Sequence, residues 1–143
     1  MDIVETAVMP RKKKGSHETV LVVDDDPEIR ESLSELLDHR GYSVLQAENG
    51  RRALDVLKAV PPQTPCLVVL DLAMPVLDGH QFLKYRAEDP VLRRIPVVVV
   101  SANPRPPQPL EGIEAYLQKP LEPDVLLEII RRTCDEKLGH KLV

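Results

Sequence analysis

This sequence predicts an α/β fold in which a five-stranded parallel sheet is doubly wound, with helices on both faces. Three observations predict it. Short uninterrupted apolar runs, Val20-Leu21-Val22-Val23, Cys66-Leu67-Val68-Val69-Leu70 and Val97-Val98-Val99-Val100, fit strands buried on both faces. The stretches between them repeat apolar residues at helical spacing. Strand and helix textures alternate along the chain, and that order places helices on both sides of a parallel sheet. No internal repeat competes with this pattern.

The elements follow in order. After the first apolar run, Asp26 is placed to cap a helix that Pro27 opens, that carries Ile29, Leu33, Leu36 and Leu37 on one face, and that Gly41 ends. Tyr42 to Ala47 is a second, weaker strand. Asn49 caps a second helix with Ala53, Leu54 and Leu57 inside, and Pro61-Pro62 stops it. The run from Cys66 to Leu70 is the third strand, His80 to Ala87 the third helix, and Val97 to Val100 the fourth strand. Ala115 to Gln118 forms the fifth. Pro123 opens a last helix with Leu126, Ile129 and Ile130 on one face. Between Ser101 and Tyr116 stand Pro104, Pro106, Pro107 and Pro109, which remove backbone donors and push their predecessors toward extended geometry. This crossover is therefore expected to hold no helix, or about one turn near Leu110 to Ile113, and to shield the sheet poorly, leaving apolar surface for the third helix or a partner to cover.

The 143 residues are expected to form one domain with little room for a second. A hydrophobic share of 43% with 29% charged residues suits a soluble globular chain. The net charge of -4 argues against direct DNA binding, and 3% aromatic residues is too few for a base-stacking platform. No apolar run approaches the roughly 18 residues of a membrane span. Asp2 and Glu5 stand where a signal peptide wants a basic start, so a cytoplasmic protein without membrane association is expected. Residues 1–18 contain Arg11-Lys12-Lys13-Lys14 and read as a flexible basic tail, residues 19–135 as the folded domain, and residues 136–143 as a C-terminal tail. Cys66 and Cys134 show neither metal spacing nor a disulfide framework and are expected to be plain buried thiols.

In this architecture ligands bind beyond the carboxyl ends of the strands. After the first strand come Asp24, Asp25 and Asp26; after the third, Asp71; after the fourth, Ser101; after the fifth, Lys119 and Pro120. One such residue is commonplace; four strands ending in polar groups at one rim are not. Carboxylates about 4 Å apart at an effective dielectric near 20 repel by about 4 kcal/mol per pair, so the set calls for a cation. Oxygen ligands with no histidine or cysteine placed to help favour Mg2+, with Mn2+ as the alternative. A hard cation, a lysine, a hydroxyl and a nucleophilic carboxylate make a site suited to phosphoryl transfer.

Four motifs in order, Leu21-Val22-Val23-Asp24-Asp25-Asp26-Pro27, Val69-Leu70-Asp71-Leu72-Ala73-Met74-Pro75-Val76-Leu77-Asp78-Gly79, Val100-Ser101-Ala102 and Tyr116-Leu117-Gln118-Lys119-Pro120, resemble the receiver domain of bacterial two-component response regulators. The resemblance implies a flavodoxin-like sheet in the order 2-1-3-4-5, similar to the chemotaxis regulators, but with the fourth helix missing or reduced. It implies that Asp71 accepts a phosphoryl group from a sensor histidine kinase or histidine phosphotransfer protein and switches a surface toward a downstream protein target. Asp24, Asp25, Asp71 and the backbone carbonyl of Ala73 would hold the metal, and Lys119 and Ser101 would contact the phosphoryl oxygens. Ser101 and Tyr116 would form the switch pair, and Lys119-Pro120 the cis peptide. Of two rival readings, the first fails on one residue and the second stays as the alternative. Haloacid-dehalogenase-like phosphatases need an acid two residues beyond the nucleophile, where this chain has Ala73. A phosphorylation-independent pseudo-receiver would keep the fold as an interaction module alone.

Overall fold

The computed structural model describes residues 18–62, 64–106 and 108–135. Most of the tail expected over residues 1–18, and all of that expected over 136–143, lie outside these. The elements are β1 (Thr19–Val23), α1 (Pro27–His39), β2 (Ser43–Ala47), α2 (Gly50–Ala59), β3 (Pro65–Asp71), α3 (Gly79–Glu88), β4 (Val97–Ser101), β5 (Ala115–Gln118) and α4 (Pro123–Ile130). A short 3-10 turn at Leu92–Arg94 precedes β4, and a π-helical turn at Arg131–Asp135 extends α4; neither was legible in the sequence. All strand pairs are parallel, in the order β2-β1-β3-β4-β5.

The apolar runs are continuous because both faces are covered. Leu21, Val23, Val68 and Leu70 point into one core with residues of α2 and α3, including Leu54 and Phe82. Val20, Val22, Leu67 and Val69 point into the other with Leu37 of α1 and Leu126 and Ile130 of α4. The caps form as the side chains dictate: Asp26 accepts from the Glu28 N–H at 2.9 Å, and Asn49 from the Arg52 N–H at 2.8 Å. Gly41, at φ 91°, takes the left-handed conformation that ends α1. Helix α3 begins with a capping box: Asp78 and Gln81 each accept the other's backbone N–H at 2.9 Å.

Two expectations are refined and one is corrected. The strand expected from Tyr42 begins at Ser43, and the helix expected over His80 to Ala87 runs Gly79–Glu88. The crossover from β4 to β5 contains no helical turn among its described residues, so of the two alternatives for the fourth helix the missing one holds. Leu110 and Ile113 of the crossover, with Tyr116 of β5, pack against the core that Phe82 and Leu83 of α3 also fill. What replaces the helix as an anchor is Arg86 of α3, a buried guanidinium. It donates to the Ile95 carbonyl at 3.0 and 2.8 Å, and to those of Arg93 and Gly112 at 3.2 Å each. Burial lowers its pKa, against the attraction of Glu114. The correction concerns Cys66 and Cys134. They are buried, as expected, but they form a disulfide with Cα atoms 5.3 Å apart.

Candidate functional site

The parallel sheet delivers Asp24, Asp71, Ser101 and Lys119 to one rim. Asp71 closes β3, the central strand, and is buried. Ser101 closes β4 and is buried, while Lys119 follows β5, its N–H bonded to the Ser101 carbonyl at 2.7 Å. Oxygens of Asp24, Asp25 and Asp71 lie within 4.8 Å of one another, the one candidate metal cluster among the described residues. Asp25 is exposed where the other two are buried, so the cluster opens to water on one side. All-carboxylate oxygens with an open side fit Mg2+ or Mn2+, which retain water ligands, better than zinc.

Lys119 spans the buried pair, 3.1 Å from Asp24 Oδ2 and 3.6 Å from Asp71 Oδ1. Burial pulls its ammonium pKa down, but the Asp24 hydrogen bond and the charges of Asp24 and Asp71 outweigh this, and the net shift is upward. Asp71 moves the other way from an ordinary carboxylate: burial first, then the charge of Asp24, push it up to about 6, against Lys119 and the Ala73 N–H. The nucleophile candidate thus holds its proton more tightly than a free carboxyl does. The Lys119-Pro120 bond is cis, as the resemblance implied.

Asp24 is fixed from several directions. Its Oδ1 accepts the Asp26 N–H at 2.9 Å, its N–H reaches the Ala47 carbonyl at 3.1 Å, and its carbonyl accepts from Arg30 Nη1 at 2.7 Å. The sequence reading missed Arg30. The signal was available: Arg30, Leu33, Ser34 and Leu37 share the inward stripe of α1, and a guanidinium in such a stripe needs acceptors. Asp26 stays at its cap.

The loop after Asp71 and the crossover form the walls of a cleft of about 540 Å³, lined by Asp25, Ala73, Met74, His80, Ser101 and Asn103 among others. Ala73 donates its N–H to Asp71 Oδ1 at 3.4 Å. Ser101 Oγ accepts the Asn103 N–H at 3.1 Å, and the Asn103 carbonyl accepts the Tyr116 hydroxyl at 2.8 Å. Ser101 and Tyr116 are thereby joined through a single residue of the crossover.

Gly79 permits the loop after Asp71 to close on itself. Its N–H bonds the Leu72 carbonyl at 3.0 Å, and a Cβ there would meet the Asp71 carbonyl oxygen and the Leu72 Cα at 2.7 Å. Backbone cannot yield as a side chain end can. Gly79→Ala is expected to cost about 2 kcal/mol in urea unfolding and to slow any labelling of Asp71, because relief of the clash moves the acceptor strand. Wild-type stability and labelling in this variant would contradict the close approach.

Comparison with known proteins agrees with this geometry. A family model described as response regulator receiver domain matches residues 20–131. Response regulator Rre1 of Synechocystis is 36% identical over 118 residues, 79% of this chain and 50% of that protein. Protein PilH of Pseudomonas aeruginosa is 31% identical over 115 residues, 78% of this chain and 93% of that one. This chain spans about half the length of Rre1 and of the MprA regulators it also matches. Among solved structures, the chemotaxis protein CheY4 of Vibrio cholerae superposes with a TM-score of 0.73 at 29% identity, covering 82% of this chain and 99% of that one. TrrA of Thermotoga maritima, solved in complex with Mg2+-BeF, gives 0.70 at 29% identity, over 81% and 98%. No described helix is long and apolar enough to cross a membrane. With the strand order, the acidic cluster and the cis Lys119-Pro120 all in place, the chain belongs to the response regulator receiver domain family.

Proposed function

We propose that Asp71 accepts a phosphoryl group from the phosphohistidine of a sensor kinase or phosphotransfer protein in the cytoplasm, and that this switches a protein-interaction surface beside the crossover toward a downstream target. The observation that carries this reading is the placement of Asp71: buried at the end of the central strand, 3.6 Å from the Lys119 ammonium, with Asp24 and Asp25 oxygens within 4.8 Å. Asp24, Asp25, Asp71 and the Ala73 carbonyl would hold Mg2+, which when bound offsets charge on the transferring group. An Asp71 oxygen attacks phosphorus in line with the departing imidazole nitrogen; the O–P bond forms as the N–P bond breaks, and the nitrogen keeps the electron pair. Lys119 supplies positive charge to the equatorial oxygens, and Ser101 turns its hydroxyl from the Asn103 N–H toward one of them. Because the Asn103 carbonyl holds the Tyr116 hydroxyl, that rotation carries through to the aromatic ring.

A mainly apolar groove of about 820 Å³ beside the site, lined by Ile29, Leu33, Leu36, Pro120 and Leu121 and reaching Lys119, suits the phosphohistidine-bearing helix of the donor protein. Its continuity with the acceptor through Lys119 is the reason for assigning it to the donor. The domain is a signalling module rather than an enzyme with turnover on an external substrate.

Incubation with acetyl phosphate and Mg2+, followed by intact mass measurement, tests the reading. One phosphoryl adduct, lost in excess chelator, is expected; undiminished labelling in chelator would overturn it, and no labelling under any donor would favour the pseudo-receiver alternative. Lys119→Ala should bind Mg2+ no more weakly than wild type, since the lysine competes for Asp24 and Asp71, yet label poorly. Asp25→Ala should lose at least about tenfold in Mg2+ affinity. Equal losses in Mg2+ titrations of the two variants would contradict this division.

A further inference from the structure

Cys66 and Cys134 lie far from the pocket, and two local features bring them together. On α4, Leu126, Leu127 and Ile130 form the buried stripe, and Cys134, four residues past Ile130, continues it through the π-helical turn. In β3 the register is irregular: Thr19 pairs with Pro65 but Val20 with Leu67, so Cys66 has no counterpart in β1. Regular alternation would set Cys66 with Val68 and Leu70, on the face of α2 and α3. The irregularity turns it instead to the face of Leu67 and Val69, under α4, where the two Cα atoms are 5.3 Å apart. The bond closes a sequence separation of 68 residues.

We propose that Cys66 and Cys134 form a redox modification site, a dithiol in a reducing medium that becomes a disulfide by exchange with a small disulfide such as glutathione disulfide. Thiol-reducing compartments do not sustain ordinary disulfides, so a pair in a receiver acting there is set by its surroundings. Both sulfurs are buried, Cys134 at 1% exposure and Cys66 at 7%, so exchange proceeds through local opening. The element that must open is the last described turn, held by the bond itself, by packing of Cys134 and by the Tyr42 hydroxyl on Asp135 at 3.4 Å. Local opening of one such element costs less than unfolding the whole domain. One cysteine thiolate attacks the small disulfide and displaces one thiol; the second attacks the mixed disulfide and displaces the other. Two protein thiols are oxidised, one small disulfide is reduced, and the two protons end on the released thiols.

Cys66 and Asp71 stand at opposite ends of β3, about 17 Å of strand apart. The thiol pair is therefore a second covalent input that secures the end of α4 without entering the phosphoacceptor pocket, and it does not depend on the reading of Asp71. The test uses the full chain and Asp71→Asn, equilibrated across glutathione buffers of increasing oxidised fraction, quenched with an alkylating reagent and weighed intact. Both are expected to pass reversibly from two alkylated thiols to an unalkylated monomer two hydrogens lighter than the dithiol. The oxidised form should melt higher by roughly 10 °C, and Cys134→Ser should lose this redox dependence. Mg2+ affinity of the wild type should be the same in both redox states. A pair that stays alkylatable in every buffer, or a bond that resists the most reducing buffer until the protein unfolds, would overturn the proposal. Asp71→Asn keeps both thiols and lacks the acceptor, so failure here is distinct from failure of phosphorylation.

Discussion

Asp71→Asn is expected to abolish the phosphoryl adduct and, in the absence of metal, to make the protein more stable at neutral pH. The second effect follows from the pocket's electrostatics. The Asp71 pKa stands at about 6 in the fold against 3.8 for a free carboxyl, so the folded state holds this proton more tightly than the unfolded chain. The stabilisation that protonation brings is complete below pH 3.8 and is lost as pH rises through about 6. At pH 7 the wild type has forfeited on the order of 1–2 kcal/mol relative to a neutral side chain of the same shape, which asparagine supplies, because water at the open side of the cluster screens part of the charge. Urea unfolding in chelator from pH 4 to 8 should show the variant's advantage growing with pH, and millimolar Mg2+ should reverse it by stabilising the wild type alone. A variant no more stable than wild type at pH 7, or one that still gains a phosphoryl group, would refute the assignment of Asp71 as the strained acceptor.

Arg86→Ala should be the most damaging substitution outside the pocket, at about 3 kcal/mol. The guanidinium serves three backbone carbonyls from two separate stretches, Arg93 and Ile95 before β4 and Gly112 before β5, and its removal strands the buried Ile95 carbonyl and unties the other two. Arg86→Lys should recover less than half, because an ammonium cannot reproduce the planar fork. The loss should appear as a lower urea midpoint, with faster hydrogen exchange over residues 108–114. A cost under about 1 kcal/mol would mean that Leu110 and Ile113 hold the crossover unaided.

These two residues mark the reach of sequence reasoning. Asp71 was legible because a β-rich apolar run ended in it and three other strands ended in polar groups at the same rim. Asp26, Asn49, Pro27 and Gly41 announced helix boundaries through backbone chemistry that acts within a few residues. The prolines between Ser101 and Tyr116 announced that a helix was unlikely to form there, but they carried no information about what would hold the segment. That role fell to Arg86, whose acceptors lie up to 26 residues away in sequence. The disulfide was hidden for a related reason. Strand alternation puts Cys66 on the wrong face for α4, and only the unpaired position in β3 opposite Thr19 and Val20 redirects it. Arg30 was overlooked although its place in the inward stripe of α1 was visible, because an arginine in a first turn reads as a solvated charge until its acceptors are known.

The fifth strand has one further consequence. β5 is an outer strand of four residues, Ala115–Gln118, and the chain leaves it through Lys119 and Pro120. An outer strand offers unpaired backbone groups to any strand from another molecule, and long flat ones seed aggregation. Here the template is short, and Pro120, two residues past it, has no N–H to continue the ladder. The neighbour of the residue that balances charge in the pocket thus helps to keep copies of the chain from joining edge to edge at high concentration.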